Sequence, residues 1–278
     1  MPAVWWRAGS LARDGGEGSR RQGSFFLRVL LVEAGGPAPS LSHIPGLVGF
    51  LQRSAVDWGF VTEASSVASL ATGGRSMWPR GKLLGGSGML NYMLYVRGNS
   101  RDYDEWRDLG LEGWGWEDVL PYFKKSEQFV GEVEDREKYH GQDGDMKVTT
   151  EGFKEPITDA FLRAGEELGY RVGDINGGVQ DSGFTKAHTT TYQGSRSGTY
   201  RAFAERFAGG NLTVLTHCHV TRVLLEEGRA VGVEVHRFGR RMRLLASQEV
   251  VLSAGAVGTP QILLLSGIGD SEHLREVS

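Results

Sequence analysis

Apolar positions in this chain fall into short runs closed by glycine and into a few stretches with helical spacing. Phe25 to Val32 is almost continuously apolar and stops at Glu33-Ala34-Gly35-Gly36, the pattern of a buried parallel strand. Residues 37 to 76 mix Pro, Gly and Ser with short apolar pieces and predict mostly loop. Val119, Leu120, Tyr122 and Phe123 predict a helix over Trp116 to Ser126. A second helix is predicted over Pro156 to Leu168, with Ile157, Ala160, Phe161, Ala164 and Leu168 on one face and Gly169 just past its end. A third is expected at about Ser197 to Phe207. Leu212 to Leu215, His219 to Glu226, Ala230 to Arg237 and Glu249 to Leu252 read as strands, the second and third joined through Gly228 as a hairpin. Thr259-Pro260 carries a helix-start signal, Thr as cap and Pro as first helical residue. Residues 10 to 24 have no apolar period, residues 131 to 146 read as a charged surface loop, and 171 to 199 as irregular structure or short strands. Strand, Gly-rich turn, helix and hairpin in this mixed order predict an α/β fold with an inserted or appended part.

Composition narrows the picture by exclusion. The 278 residues carry 31 Lys+Arg and 34 Asp+Glu, a net charge of −3, so neither a basic nucleic-acid footprint nor an acidic tail is present. A single cysteine, Cys218, excludes an internal disulfide and any cysteine-clustered metal site, and leaves the cellular compartment open. No window reaches the ~20 apolar residues of a membrane span. The opening residues lack the apolar core of a secretory signal, which assigns no localisation. Glycine is the outlier: 41 residues, about twice the usual ~7%. With no three-residue repeat, that density points to backbone brought close to a ligand.

Three stretches could carry such chemistry. Glu33 ends a predicted strand, where it is either the acid that accepts hydrogen bonds from a ribose diol in a dinucleotide-binding βαβ unit or an ordinary strand-end acid. The glycine fingerprint expected 20 to 30 residues earlier appears only as Arg7-Ala8-Gly9-Ser10-Leu11-Ala12, with Arg7 in place of the first glycine. The second stretch is Leu84-Gly85-Gly86-Ser87-Gly88-Met89-Leu90-Asn91, whose glycines free backbone N–H groups and whose Ser87 and Asn91 add side-chain donors. The third is Ser253 to Pro260, a small-residue turn leading into a helix. Either glycine run could equally be a packed turn without a ligand.

Other chemistries find no support. His217 and His219 flank Cys218 on a predicted strand, where alternate side chains face opposite sides and form no chelate. No zinc-protease or paired-cysteine motif and no serine nucleophile elbow is found, so no metal is assigned. His140, His188 and His236 read as surface or loop residues, and Trp114, Trp116, Tyr122 and Phe123 as core.

Read together, the motifs resemble the glucose–methanol–choline (GMC) flavin oxidoreductases. The first signature is Trp78-Pro79-Arg80-Gly81-Lys82-Leu83-Leu84-Gly85-Gly86-Ser87 through Asn91, Arg97-Gly98 and Asp102-Tyr103-Asp104 with Trp106. The second is Gly255-Ala256-Val257-Gly258-Thr259-Pro260-Gln261 through Gly269. Gly169-Tyr170, Asp174-Ile175-Asn176-Gly177 and Asn211-Leu212-Thr213-Val214 match the middle region, and the branch resembled is that of the animal glucose dehydrogenases. The resemblance implies an incomplete FAD-binding Rossmann-like domain with part of an α+β substrate domain. It divides the chain into an irregular 1–24, a first FAD-binding part 25–150, a substrate-domain segment 151–200 and a second FAD-binding part 201–278.

By the same resemblance Glu33 holds the adenosine ribose and Val220 touches adenine through its backbone. Ser87, Asn91, Tyr92, Met93 and Leu94 lie along the pyrophosphate, ribityl chain and isoalloxazine, and Gly255 and Ala256 approach the cofactor. The turns at 85–88 and 255–258 are expected to share a crevice beside Glu33. FAD is the implied cofactor, a small alcohol or sugar the implied substrate, and oxidation at a CH–OH group the implied reaction. The family's catalytic histidine and its partner fall beyond Ser278, so no catalytic residue is assigned. The chain is expected to be a catalytically incomplete fragment, the alternative being a non-catalytic FAD-binding remnant or interaction module. Leu263, Leu264 and Leu265 are expected on a face that further chain would cover.

Overall fold

In the computed structural model, residues 4–8, 28–150, 155–177 and 183–277 are described. The strands of the first half are β1 (Val4–Ala8), β2 (Arg28–Val32), β3 (Phe60–Val61), β4 (Met77–Trp78), β5 (Glu127–Val130) and β6 (Met146–Thr149). Four short ones follow, β7 (Arg171–Val172), β8 (Gly183–Phe184), β9 (Thr191–Tyr192) and β10 (Ser195–Arg196). The last are β11 (Leu212–Leu215), β12 (Cys218–Glu226), β13 (Arg229–Arg237), β14 (Arg240–Leu245) and β15 (Glu249–Leu252). The helices are α1 (Ser100–Asp108), α2 (Trp116–Ser126), α3 (Arg136–Tyr139), α4 (Pro156–Glu167), α5 (Thr199–Phe203), α6 (Gly255–Leu265) and α7 (Ser271–Val277). None of the helices described is long and apolar enough to cross a membrane.

The chain divides into two compact units. The first comprises residues 1–42, 47–90 and 204–278. It holds a four-stranded sheet in the order β11-β2-β1-β15, with β11 parallel to β2 and β1 antiparallel to both neighbours. It also holds the antiparallel sheet β12-β13-β14. Val32, Cys218, Val220, Val223, Val233, Val235 and Ile262 form one buried core that joins β2, the β12–β13 hairpin and α6. Buried positions on β12 run 218, 220, then 223, because a bulge between Val220 and Arg222 shifts the alternation by one residue. Two-residue turns with positive φ, Glu227-Gly228 and Phe238-Gly239, close the two hairpins.

The second unit comprises residues 43–46 and 91–203. Its core is Phe129, Met146 and Val148 of the parallel pair β5–β6, packed with Tyr95, Val133, Ala202 and Phe203. Helix α1 starts with a reciprocal cap: Asn99 Oδ1 accepts from Arg101 N and Asp102 Oδ2 accepts from Asn99 N.

Several expectations change here. The Phe25–Val32 run is a strand from Arg28, and Phe25 to Leu27 lie outside the described residues. The helix predicted from Thr259-Pro260 starts five residues earlier, at Gly255 instead of Pro260. Thr259 Oγ1 accepts from Ala254 N at 2.9 Å and so still acts as a cap, from inside the first turns. Strand β14 and helix α1 show no clear apolar period, because Arg240, Arg241 and Arg243 in one and six charged residues in the other mask it. The predicted apolar face of α4 is not a buried one: Ile157, Phe161 and Leu168 are exposed, and the helix packs through Gly165 against Phe184. Trp116 is buried as expected, but Trp114 and Tyr122 are exposed.

Candidate cofactor site

Glu33 follows β2, and its backbone is held on both sides, its N–H donating to Leu215 O and its carbonyl accepting from Cys218 N. The carboxylate is 3% exposed, and Oε1 accepts from Gly35 N at 2.8 Å. Gly35 must be glycine for packing: a Cβ there would lie 1.8 Å from Lys82 O. This close approach brings the turn after β2 against the second glycine stretch, where Leu84 N donates to Gly36 O. Within that stretch Gly81 abuts Gly86 and donates to Ser87 Oγ at 3.0 Å.

These turns open one crevice of about 680 Å³, counting its mouth, entirely within the first unit. Glu33, Ser87, Val220, Gly255 and Ala256, five of the residues singled out from sequence, all line it. One wall is aromatic: Trp58 stacks on Phe60 at 5.8 Å, and His219 lies 5.4 Å from Trp58. Lys82 Nζ sits 4.7 Å from the centroid of the Trp58 ring. Burial, then Lys82 and His236, push the His219 imidazole below its ordinary value, which keeps it neutral near pH 7. Arg80 also lines the crevice, its backbone fixed by Asp57, whose Oδ1 accepts from Arg80 N and Gly59 N. Gly255 to Gly258, the first turn of α6, also line the crevice.

Sequence reasoning passed over Trp58, Phe60 and His219. The first two lay in a stretch read as loop. His219 reads from sequence only as a rejected metal ligand, although its alternation with Val220 on β12 is legible. The degraded glycine fingerprint read at residues 7–12 lies mostly outside the described residues. Arg7 and Ala8 belong to β1, and Gly9 to Ala12 lie outside the described residues. Strand β1 runs antiparallel to β2, so Ala8 pairs with Arg28, at the end of β2 remote from Glu33. That separation is five residues, roughly 16 Å of strand. A strand delivering a phosphate-binding turn beside Glu33 would have to run parallel to β2.

Asn91, Tyr92, Met93 and Leu94 belong to the second unit. Asn91 Oδ1 accepts from Met93 N at 3.0 Å and from Arg196 Nη1 at 2.8 Å, and Asn91 O accepts from Arg196 Nη2 at 2.8 Å. Met93 is buried at φ +62°, while Tyr92 and Leu94 are each 61% exposed. Burial pulls the Arg196 guanidinium down to about 10, still charged at neutral pH.

The same unit contains a buried ionic network. Arg97 Nη2 lies 2.8 Å from Glu127 Oε2, and His140 bridges Glu127 and Asp174. Thus His140 and His188, read from sequence as surface or loop residues, are buried; His236 is exposed. His140, Asp174 and His188 lie close enough to suggest a metal site, but their protons are accounted for. Asn176 Oδ1 accepts from Arg97 N and its Nδ2 donates to Tyr95 O, which fixes the amide orientation. Its Nδ2 therefore donates to His188 Nδ1, leaving the His188 proton on Nε2, the nitrogen facing Asp174. With both His140 nitrogens donating to carboxylates, Arg97 and His140 balance Glu127 and Asp174 without an ion.

The GMC oxidoreductase family matches residues 31–277. The chain belongs to this family. It is 42% identical over 256 residues to glucose dehydrogenase [FAD, quinone] of Drosophila melanogaster, covering 90% of this chain and 41% of that protein. It is 35% identical over 251 residues to an oxygen-dependent choline dehydrogenase of Sinorhizobium medicae, covering 90% and 45%. The crystal structure of pyridoxine 4-oxidase from Mesorbium loti superposes with a TM-score of 0.81 at 32% identity, covering 90% of this chain and 48% of that one. The chain therefore spans less than half the length of these relatives. The cofactor of GMC oxidoreductases is FAD. The crevice fits its adenosine end chemically, with a buried acid for a ribose diol, an aromatic wall and close-packed glycine turns.

Proposed function

We propose that this GMC chain is the cofactor-binding portion of an FAD-dependent oxidoreductase acting on the CH–OH group of a small alcohol or sugar. The first unit is the FAD-binding part, and residues 151–200 belong to the substrate side. The observation that carries this reading is the convergence of Glu33, Ser87, Val220, Gly255 and Ala256 on one crevice from four separate segments. In it Glu33 would accept from the ribose hydroxyls, Val220 would meet adenine through its backbone, its side chain lying in the core, and Gly255 and Ala256 would let the cofactor approach the first turn of α6. The family resemblance assigns Asn91, Tyr92, Met93 and Leu94 to the flavin side. Bound FAD supplies a two-electron acceptor for hydride from the alcohol carbon. The residues of this chain bind and orient it, and none of them is assigned as the base.

The test is a visible absorption spectrum of the purified chain before and after adding FAD and desalting. Flavin bands at near-stoichiometric occupancy support the reading. A chain that retains no flavin and shows no saturable titration with FAD overturns it.

A further inference from the structure

The sheet β12-β13-β14 closes its two hairpins with the same backbone and opposite chemistry. Each turn is a side chain at positive φ followed by glycine, Glu227-Gly228 at 49° and 77° and Phe238-Gly239 at 47° and 75°. At the first turn Glu226 stands opposite Arg229, and the turn side chain is an exposed carboxylate. At the second Arg237 stands opposite Arg240, and the turn side chain is a phenyl ring, 75% exposed. Like charges directly opposite destabilise a hairpin, and the first position of such a turn favours Asn or Asp. The second turn therefore carries two local conflicts, a cationic pair and an apolar ring in water, where the first carries neither. Local rules broken together at one place are what a functional surface shows.

The groups around Phe238 are cationic. The Arg237 guanidinium carbon lies 4.9 Å from the Phe238 ring centroid, and Arg237 Nε donates to Thr216 O at 3.2 Å. Arg240, Arg241 and Arg243 follow on β14, at the end of the sheet, and all three are exposed. Between residues 228 and 245 one acid, Glu234, stands against five arginines, in a chain whose net charge is −3. That acid is already engaged: Glu234 Oε2 lies 3.1 Å from Arg222 Nη2, and Oε1 lies 3.6 Å from Arg241 Nε. The hairpin end is thus a convex point where an apolar ring is surrounded by positive charge.

We propose that the β13–β14 hairpin end docks this chain on an anionic lipid surface: Phe238 enters the interfacial layer, and Arg237, Arg240 and Arg241 pair with lipid phosphate and carboxylate groups. Charge complementarity sets the sign of that surface. The convex, exposed ring sets its softness, because an aromatic group sinks into a lipid interface without a pre-formed pocket, whereas a protein partner must supply one. The docking uses no residue of the crevice and stands independently of the FAD reading.

The experiment is flotation of the purified chain with vesicles of phosphatidylcholine alone and of phosphatidylcholine with about one-third phosphatidylserine, at low salt and at about 0.5 M NaCl. The wild type should bind the anionic vesicles about tenfold or more better than the neutral ones, and high salt should release it. Arg240→Glu should weaken that binding about tenfold and Phe238→Asn about fivefold. Both substitutions relieve a local conflict, so both variants should melt no lower than the wild type, which separates lost docking from lost folding. Arg229→Glu makes the same charge change at the far end of β13 and should bind within about twofold of the wild type. Absent binding, equal binding to neutral and anionic vesicles, or undiminished binding in Arg240→Glu and Phe238→Asn overturns the proposal. So does a loss in Arg229→Glu as large as that in Arg240→Glu, which would mean diffuse attraction. A chain that ignores vesicles but self-associates through a contact that Phe238→Asn abolishes assigns the hairpin end to a second copy and overturns it as well.

Discussion

His140 Nε2 lies 2.7 Å from Asp174 Oδ2, and the two residues are 34 apart in sequence and both buried. Burial alone would lower the His140 imidazole, but hydrogen bonds to Asp174 and Glu127 outweigh it and hold the group above its ordinary 6.5. Burial alone would raise Asp174, but His140 and the Asn176 N–H hold it below its ordinary 3.8. The native state therefore keeps a proton on His140 that the unfolded chain releases. The stabilisation is full below about 6.5 and is lost as pH rises through the raised native value. The Asp174 contribution is present above about 3.8 and is lost as pH falls through the lowered native value. Urea midpoints followed from pH 5 to 9 should decline on the alkaline side, and His140→Gln should be less stable and lose part of that slope. An unchanged slope in His140→Gln would refute the assignment.

Arg97 and Glu127 form a salt bridge with both side chains fully buried. Removing either partner strands a charge in the interior, at a cost of about 3–5 kcal/mol. The cost of Arg97→Met with Glu127→Gln together should be well below the sum of the singles, because no lone charge remains. Denaturant unfolding of the three variants measures this coupling. Additive losses would mean that the two groups do not share one network.

Two glycines of the crevice are constrained for different reasons. At Gly81 a Cβ would lie 2.3 Å from Gly86 C and 2.6 Å from Ser87 N, both backbone atoms. At Gly255 a Cβ would meet nothing within 4 Å, but φ is +86°. Gly255→Ala should cost about 1–2 kcal/mol of backbone strain. Gly81→Ala should cost about 3 kcal/mol or more, since neither backbone segment can yield. Thermal melts of the two variants should separate in that order, and equal losses would contradict the packing.

Glu33→Gln preserves shape and an oxygen for Gly35 N while removing the charge offered to a ribose diol. ADP affinity should fall about tenfold, in keeping with a lost charge-assisted bond. The preference of the wild type for ADP over 2′-deoxy-ADP should shrink in the same variant. Calorimetric titration of both nucleotides checks this, and an undiminished preference would assign the ribose to another residue.

Much of the local structure was legible. The Pro156 to Leu168 prediction meets α4 within one residue, and α2 and β15 have the bounds that periodicity indicates, because these features are set by neighbours within a few residues. The burial of His140 was not legible. Its surroundings in sequence, Glu137-Lys138-Tyr139 before it and Gln142-Asp143 after it, are those of a surface loop. What buries it is Glu127 and Asp174 neutralising a charge that would otherwise stay in water. Arg196 escaped for the same reason, its partner Asn91 being 105 positions away.

From the order of its residues alone this chain determined its α/β character, the two glycine turns and the acid after β2, since apolar period, turn chemistry and strand ends are properties of short windows. Only the tertiary structure decided that β1 lies antiparallel to β2, that Trp58 and His219 wall the crevice, and that Arg196 grips Asn91. Pairing direction and the partners of buried charges depend on groups far apart in sequence, and no local pattern encodes which of them will meet.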